Sequence, residues 1–297
     1  MIRSINQALQ SIQNILLLFI GILLSILIVI STLSFIKLNE SSKLAQSNSA
    51  SVIGTKTPSP TPIPTPTIRI VTPDLTRASR ILNLTNWKLT LPTGSSEKPT
   101  EIKQPELNTF EADAWFISVS SPSGVRFRAP VNGVTTGGSN YPRSELREMT
   151  DSGSANASWS STSGTHTMTI DQAIAAVPSK KKHIVAGQIH DKNNDVIVIR
   201  LEDNNLYVNV DGDNKHTLDS SYTLGKRFSI RFVVKDGETE VYYNGGTTAF
   251  TLNKDYSGAY FKAGAYTQSN CSREESANCN DGNFGEVIIY NLSVTHQ

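Results

Sequence analysis

The chain has 297 residues, a formal net charge of +1 and two cysteines. This length allows one large or two small domains. The near-neutral charge excludes a protein-wide positive field of the kind that captures nucleic acid, so no nucleic-acid partner is expected. The sequence also lacks a phosphate-binding loop, a His-Glu-x-x-His motif and a Gly-x-Ser-x-Gly motif, and neither a metal ion nor an organic cofactor is expected.

The N-terminal part contains a long apolar run without a charged residue, residues 15–36. A helix of about 20 apolar residues crosses the ~30 Å hydrocarbon core of a bilayer, whereas the apolar region of a secretory signal usually has about 7–15 residues. We therefore predict a transmembrane anchor over residues 15–36, after a short N-terminal segment of residues 1–14. A long signal sequence that is removed is the alternative.

Residues 37–80 are rich in serine, threonine and proline, with alternating prolines between residues 57 and 67. Such a segment forms neither a helix nor a central strand, and behaves as an extended, semi-rigid spacer. The predicted organisation is an anchor, a spacer and one domain over residues 81–297. The expected location is extracellular, either membrane-anchored or secreted, with the membrane contacted through the N-terminal segment.

The domain itself has a β pattern, because short alternating runs are separated by turn residues such as Asp211-Gly212 and Asp236-Gly237. A short helical segment is predicted near residues 103–112. Strands are predicted over residues 87–91, 114–119, 125–129, 144–149, 166–174, 183–190, 196–202, 205–210, 227–235, 238–243, 260–266 and 286–295. This pattern predicts an all-β sandwich of two antiparallel sheets, one of them concave and lined with polar groups.

Three of the predicted strands carry polar residues on one face, because successive side chains of a strand point to opposite sides. Each strand also has an opposite face of small or apolar residues. The polar faces comprise Arg143, Glu145 and Arg147 on the first strand, Gln188 and His190 on the second, and Tyr260, Lys262, Tyr266 and Gln268 on the third. Cations and amides suit the binding of an acidic sugar, and an imidazole and a phenol can move a proton.

The three stretches resemble the signature regions of the alginate lyases of polysaccharide lyase family 7, R-[ST]-E-[LV]-R, Q-[IV]-H and Y-x-K-A-G-x-Y-x-Q. They occur without a departure and in the family's order. The resemblance extends over roughly residues 81–296, including the stretches 87–92, 127–131 and 285–290. It implies a jelly-roll β-sandwich whose substrate is alginate, an acidic polysaccharide.

The resemblance also supports roles in a β-elimination, which removes the C5 proton of a uronate and expels the O4 glycosidic oxygen. Arg143 and Gln188 are expected to bind the uronate carboxylate. Tyr266 is the expected acid for O4 and base for mannuronate, and His190 the expected base for guluronate. The Lys262 ammonium is expected to favour the phenolate form of Tyr266. Substrate contacts are expected from Glu145, Arg147, Tyr260, Lys262 and Gln268, with Glu145 paired to both arginines.

We expect endolytic cleavage of the 1,4-glycosidic bond to unsaturated oligosaccharides. Ile189 lies between the glutamine and the histidine, which in the family accompanies activity on guluronate-containing chains. One alternative is a cell-surface, lectin-like module that binds alginate without turnover. Another is a glycoside hydrolase, although the predicted cleft offers only Glu145 where most such enzymes use two carboxylates.

Cys271 and Cys279 flank a short hydrophilic loop just beyond Gln268. An even cysteine count at close spacing in an exported domain indicates one disulfide. A metal site would need further histidines or cysteines nearby. The remaining histidines, His166, His183, His216 and His296, are interpreted as structural or surface residues, and the protein is expected to be a monomer.

Overall fold

The computed structural model describes residues 77–297. The predicted membrane anchor, and the predicted spacer as far as residue 76, lie outside the described residues. Among residues 77–297, no helix is long and apolar enough to cross a membrane. The described part begins with a short helix, α1 (Ala78–Ile81), which overlaps the last residues assigned to the spacer. Ala78 and Leu82 are each only 1% exposed, because both pack into the core.

The domain is a sandwich of two antiparallel sheets, as predicted. The larger sheet contains β1 (Trp87–Ser95), β2 (Lys98–Ile102), β5 (Arg143–Thr150), β9 (His183–His190), β10 (Asp195–Glu202), β11 (Asn205–Val210), β12 (Asp213–Asp219) and β16 (Ser257–Thr267), with the short strands β6 (Ala155–Asn156) and β7 (Trp159–Ser160) at its side. The order along its main path is β12-β11-β10-β9-β16-β5-β1-β2.

The smaller sheet has seven strands. They are β3 (Phe116–Ser120), β4 (Ser123–Pro130), β8 (Thr165–Ala176), β13 (Arg227–Lys235), β14 (Glu238–Tyr243), β15 (Thr248–Asn253) and β17 (Phe284–His296). Their order is β15-β14-β13-β8-β17-β4-β3. Short 3₁₀ helices lie at Glu106–Asn108, Asp151–Gly153 and Ser276–Asn278, the first within the segment predicted to be helical.

The hydrophobic core lies between the two sheets and follows from the alternation of each strand. Phe261, Ala263 and Ala265 of β16 are fully buried, and so is Leu146 of β5. On the facing sheet, Phe127 packs edge-on against Phe116, with ring centroids 5.2 Å apart. Burying one face of the larger sheet leaves its opposite face free to carry polar groups.

Tight turns join several neighbouring strands where the sequence predicted them. Asp211 and Gly212 both have positive φ angles, and so do Asp236 and Gly237. Two consecutive residues in this conformation match the right-handed twist of a hairpin, and Asp-Gly is a favoured pair for it. These turns connect β11 to β12 and β13 to β14.

Each predicted strand is present, but five further strands were not predicted: β2, β6, β7, β12 and β15. β2, β12 and β15 form edges of the sheets, and β6 and β7 are two residues each. β12 is exposed along most of its length. An edge strand of this kind has no buried apolar face, so it gives no alternating signal.

Candidate active site

The three polar stretches occupy neighbouring strands in the middle of the larger sheet, in the order β9-β16-β5. Lys262 of β16 lies opposite Arg147 of β5 on one side and opposite Gln188 of β9 on the other. Residues directly opposite in an antiparallel pair share a face of the sheet. The sheet therefore brings the predicted polar faces together as one surface.

Glu145 forms the centre of this surface and is only 1% exposed. Its Oε2 atom accepts from Lys262 Nζ at 2.5 Å and from Arg143 Nη1 at 3.2 Å. Its Oε1 atom accepts from Gln188 Nε2 at 2.5 Å. Burial acts to raise the pKa of Glu145, but the charges of Lys262 and Arg143 outweigh it and hold that pKa below its usual value.

Lys262 is the second cation of the cluster, and its burial lowers the pKa of the ammonium to about 8, with the charge of Arg143 acting in the same direction. Glu145 opposes this shift but does not cancel it. Near neutral pH two cations, Arg143 and Lys262, thus share one carboxylate. These three residues, which we call the cleft floor, carry a net positive charge that favours the binding of a carboxylate.

Glu145 was expected to orient both Arg143 and Arg147, but the contacts of Arg147 are with other residues. Its Nη1 atom donates to the carbonyl oxygen of Glu148 at 2.8 Å and to Asn156 Oδ1 at 2.9 Å. The guanidinium lies 4.0 Å from the centroid of the Tyr260 ring. The expectation is therefore correct for Arg143 and wrong for Arg147, because Lys262 supplies the second cation next to Glu145.

His190 stacks on Tyr260, with ring centroids 5.2 Å apart. Its Nδ1 atom lies 2.6 Å from the carbonyl oxygen of Asp191. A carbonyl only accepts, so Nδ1 carries the proton and Nε2 keeps its lone pair. Burial lowers the pKa of His190, which keeps the ring neutral near pH 7. A neutral imidazole with an available nitrogen is suited to accept a proton.

Tyr266 lies opposite Arg143 across the β16 and β5 pair. The Arg143 guanidinium lies 3.8 Å from the centroid of the Tyr266 ring, and the phenol oxygen lies 2.8 Å from Ser139 Oγ. Lys262 was expected to act on Tyr266, but its ammonium binds Glu145 instead. Arg143 is therefore the cation in contact with Tyr266. Ser139 was not predicted, because it lies in a loop that has no strand pattern.

An irregularity in β9 places Val185 on the same face of the sheet as the predicted polar residues. The pairing of β16 with β9 shifts register between Lys262 and Tyr266, and Gly187 has a φ of 152°. As a result Tyr266 lies opposite Val185, although Gln188 lies opposite Lys262. Strict alternation would have placed Val185 and Gln188 on opposite faces.

The predicted disulfide between Cys271 and Cys279 is present, with a Cα–Cα distance of 4.9 Å. The loop that it closes lies beside the segment that contains Ser139, because Asn270 Nδ2 donates to the carbonyl oxygen of Asn140 at 3.0 Å. The disulfide loop is thus two hydrogen bonds away from the Tyr266 hydroxyl.

A separate cavity of about 560 Å³ includes His166, His296 and Glu148 in its lining. Glu148 Oε1 lies 2.5 Å from His296 Nε2, and the Nδ1 atoms of the two histidines are 2.7 Å apart. Glu148 Oε2 accepts from Trp159 Nε1 and from the backbone nitrogen of Phe261. These polar groups bind one another, which agrees with a structural role for both histidines. Among residues 77–297 no cluster of three side chains suited to bind a metal ion occurs.

Comparison with known proteins agrees with this geometry. A family model described as alginate lyase matches residues 82–296. The alginate lyase from Corynebacterium sp. is 51% identical, over 75% of this chain and 99% of its own, with a TM-score of 0.72. Alginate lyase AlgAT5 of polysaccharide lyase family 7 is 51% identical over 74% of this chain and 99% of its own, with a TM-score of 0.70. No match among curated proteins was found.

The fold, the polar surface and these matches together define the class, a polysaccharide lyase. More narrowly, the chain belongs to the alginate lyases of polysaccharide lyase family 7, since the family match covers most of it and two relatives share about half of the aligned residues. The resemblance drawn from the three motifs is confirmed.

Proposed function

We propose that this lyase cleaves alginate endolytically by β-elimination, with a preference for guluronate-containing chains. The observation that carries the proposal is the buried, net-positive cluster of Arg143, Lys262 and Glu145 beside two groups that can transfer a proton, His190 and Tyr266. A cationic floor binds the uronate carboxylate, and the two neighbouring groups act on the adjacent carbon and oxygen.

The first task in the proposed reaction is to make the C5 proton acidic enough to leave. Arg143 and the free N–H of the Gln188 amide bind the uronate carboxylate and stabilise the negative charge that develops on it. A single preorganised donor of this kind contributes about 3–4 kcal/mol to transition-state stabilisation. Glu145 holds both donors, because it accepts from Arg143 and from Gln188.

The proposed elimination then removes the C5 proton and breaks the C4–O4 bond. His190 Nε2 takes the C5 proton of guluronate, or Tyr266 takes that of mannuronate. The C5–H electron pair forms the C4=C5 double bond, the C4–O4 bond breaks, and Tyr266 protonates the departing O4. Two bases are needed because the two sugars are C5 epimers and present this proton to opposite faces.

A solved relative supports the choice of these residue types. A variant of the family 7 alginate lyase A1-II′ with a His→Asn and a Tyr→Phe substitution was crystallised in complex with substrate (GGMG). That protein is 27% identical to this chain, over 75% of this chain and 97% of its own, with a TM-score of 0.61. We infer that His190 and Tyr266 correspond to the substituted histidine and tyrosine and that they take part in turnover here.

Two features support the finer parts of the proposal. The larger sheet continues beyond the three central strands, β9, β16 and β5, to β10, β11 and β12 on one side and to β1 and β2 on the other. A long chain can therefore extend in both directions from the centre, as endolytic cleavage requires. Ile189 is fully buried beneath the cleft and touches the substrate only through its neighbours, Gln188 and His190. The guluronate preference would act through the positions of those two side chains.

Analysis of the reaction products tests the proposed function. The protein is incubated with polyguluronate, polymannuronate and mixed alginate while ultraviolet absorbance and chain length are followed. We expect an unsaturated, absorbing uronate, a rapid fall in chain length and the highest rate on guluronate-containing chains. New reducing ends without absorbance would indicate a hydrolase, binding without products would indicate a lectin-like module, and release of single sugars alone would contradict endolytic action.

We further propose that the domain acts outside the cell, held by a membrane anchor over residues 15–36 and a spacer that starts at residue 37 and ends before α1 (Ala78–Ile81), because Ala78 already belongs to the core of the domain. The uncharged apolar run and the Cys271–Cys279 disulfide support this location. Membrane fractionation of cells that express the full chain, with protease added outside, tests it. An active enzyme found wholly inside the cell would contradict the proposal.

A further inference from the structure

A pocket of about 420 Å³ adjoins Tyr266 on the side away from Arg143. It lies on the polar face of the larger sheet, and none of its residues except Tyr266 and Gln268 belongs to the signature stretches. Its lining comprises Val185, Asn194, Asp195, Val198, Arg200, Asn209, Asp211, Gly212, Tyr266 and Gln268.

The strand register fixes how far this pocket lies from the catalytic centre. Tyr266 is opposite Val185, and Val185 is opposite Arg200. Two strand spacings separate the backbones of Tyr266 and Arg200, which is about 10 Å. A sugar unit next to the one that is cleaved would reach this region while the polysaccharide remains on the same face.

A chain of polar contacts holds the pocket side chains in place. Arg200 Nε lies 3.0 Å from Glu202 Oε1. Glu202 Oε2 accepts from Asn214 Nδ2 at 3.0 Å, and Asn214 Oδ1 accepts from Asn209 Nδ2 at 2.8 Å. Because the ionised Glu202 only accepts, it fixes the direction of both amides. Asn209 must therefore present its oxygen to the pocket region.

Two amide atoms of the pocket residues lack a partner. Asn209 Oδ1 and Gln268 Nε2 are both buried, and neither has a hydrogen-bond partner among residues 77–297. Arg200 Nε lies within ion-pair distance of Glu202 Oε1 but likewise makes no hydrogen bond among residues 77–297. Buried polar groups are nearly always paired, and an unpaired acceptor beside two donors matches a ligand that carries both a hydroxyl and an acidic group.

The acidic residues of the pocket do not cancel its attraction for an anion. Lys254 Nζ lies 3.1 and 3.2 Å from the two carboxylate oxygens of Asp211. Asp195 follows the His190 turn at the start of β10 and is exposed, so water screens its charge. Arg200, in contrast, is largely buried and its charge is screened less. A carboxylate at the rim can also accept a sugar hydroxyl.

We propose that Arg200, Asn209 and Gln268 form a second uronate-binding subsite, next to the cleaved unit on the Tyr266 side. Arg200 binds the carboxylate of the neighbouring uronate together with Gln268 Nε2, and Asn209 Oδ1 accepts from one of its hydroxyls. This inference rests on the proposed lyase function and extends it. Filling the subsite makes affinity depend on chain length, and favours acidic chains on this side of the bond.

The test compares Arg200→Gln with the full wild-type chain on alginate oligomers of increasing length, by ultraviolet absorbance. Arg231→Gln is the matched control, because Arg231 lies on β13 of the other sheet. For Arg200→Gln we expect KM on long chains to rise about tenfold, the loss of one charge-assisted contact, with kcat within about twofold of wild type. The increase of kcat/KM with chain length should flatten. Arg200→Lys should recover part of the affinity, and Arg231→Gln should match wild type.

Direct binding separates this inference from the proposed function. Calorimetry of a long oligomer with the Tyr266→Phe chain, with and without Arg200→Gln, measures affinity without turnover, and a thermal melt checks that the variants are folded. An unchanged affinity in folded Arg200→Gln, or an equal loss of kcat at every length, overturns the subsite. Absence of absorbing product from wild type on any alginate overturns the lyase function instead. If Arg200→Gln does not fold, Asn209→Leu carries the same comparison.

Discussion

Glu145 determines the state of the cleft before any substrate binds. It is almost fully buried, and it holds Arg143, Lys262 and Gln188 at once. Removing one member of a buried ion pair typically costs about 3–5 kcal/mol, because the other charge is left unpaired. Glu145 therefore keeps two cations inside the sheet surface in fixed positions, ready for a second carboxylate.

The division of labour between His190 and Tyr266 is the sharpest prediction at this scale. Tyr266→Phe removes the proposed acid for both sugars and should abolish cleavage of polyguluronate and polymannuronate. His190→Asn removes only the proposed base for guluronate. General acid–base groups contribute about 10²–10⁴-fold, so the histidine variant should lose at least about tenfold more activity on polyguluronate than on polymannuronate.

Initial rates on the two homopolymers measure this difference. The control is His216→Asn, because His216 lies on the edge strand β12, which β11 and β10 separate from β9. Equal losses on both polymers in His190→Asn, with alginate binding retained, would refute the division of labour. The assignment to the lyase family would still stand.

The loss of the Lys262 proton is expected to set the pH above which activity falls. Its pKa is lowered to about 8 by burial and by Arg143. Above that pH the ammonium loses its proton and the cleft floor loses its net positive charge. We therefore expect kcat/KM, which reports the free enzyme, to fall as pH rises through about 8. In Lys262→Arg the guanidinium does not titrate, so the fall should move to higher pH. An identical alkaline profile in that variant would show that another group is responsible.

At the residue scale, the sequence predicted which side chains share a face but not which ones touch. Alternation along β5 placed Arg143, Glu145 and Arg147 together. It could not show that Lys262 of another strand, rather than Arg147, pairs with Glu145. That choice depends on cross-strand register, which local sequence does not contain. Arg200 of β10 was missed for the same reason, whereas Ser139 was missed because it lies in a loop that has no strand pattern.

At the scale of elements, the disulfide loop contacts the segment that binds Tyr266, the proposed acid. Asn270 precedes Cys271 and binds the backbone of Asn140, which follows Ser139 at the Tyr266 hydroxyl. Cys271→Ser/Cys279→Ser should loosen this segment and raise KM several-fold. The closed loop is short, so its contribution to global stability is limited, on the order of 2–3 kcal/mol.

Paired thermal melts and alginate kinetics of the double serine variant check this expectation, with wild type under oxidising conditions as the reference. Loss of all folded structure, or kinetics identical to wild type, would show that the loop does not act through Ser139.

Gly264 shows how closely β16 and β5 approach. Its φ is 139°, and a Cβ atom there would lie 2.5 Å from the backbone oxygen of Ser144. Gly264→Ala must therefore strain the backbone or separate the strands that carry Lys262 and Arg143. We expect a loss of about 1–3 kcal/mol in the free energy of unfolding and a marked loss of activity.

Urea denaturation measures the effect of Gly264→Ala. Gly246→Ala is the matched control, because its φ is not in the glycine-favouring region and its nearest neighbouring atom is at 3.7 Å. Equal stabilities of the two variants would contradict the account of Gly264.

Strand prediction worked wherever one face of a strand is buried. β9, β11, β13 and β14 were predicted with the bounds that the structure has. It failed for β12 and β15, which lie at sheet edges, and for the irregularity at Gly187, which changes the facing of Val185. A bulge shifts the alternation of side chains by one residue, and the only local sign of it in the sequence is a glycine.

At the scale of the whole molecule, Glu274 connects separate parts of the chain. Its carboxylate accepts from Ser179 Oγ, from the backbone nitrogens of Lys180 and Lys181, from Ser269 Oγ and from Asn283 Nδ2. Burial acts to raise the pKa of Glu274, but these hydrogen bonds outweigh it and lower the pKa to about 2.

Acid stability should follow from this shift. A carboxyl group whose pKa is lower in the folded state contributes stability above its unfolded value, 4.5, and loses it as pH falls towards about 2. Glu274→Gln should therefore be less stable than wild type at pH 7, and the difference should shrink steadily below pH 4.5 and become small at about pH 2. Urea denaturation across this range measures the difference, and a constant gap at all pH values would contradict the prediction.

β17 follows every other described strand in the sequence, yet it lies between β8 and β4 inside the smaller sheet. During synthesis the chain emerges at about 5–20 residues per second, N-terminal end first. Until β17 has been synthesised, β8 and β4 each have one unpaired edge, and such edges can pair with other chains. The nascent polypeptide is most exposed to misassembly in that interval, and the sandwich closes only in a late step, when its last strand arrives.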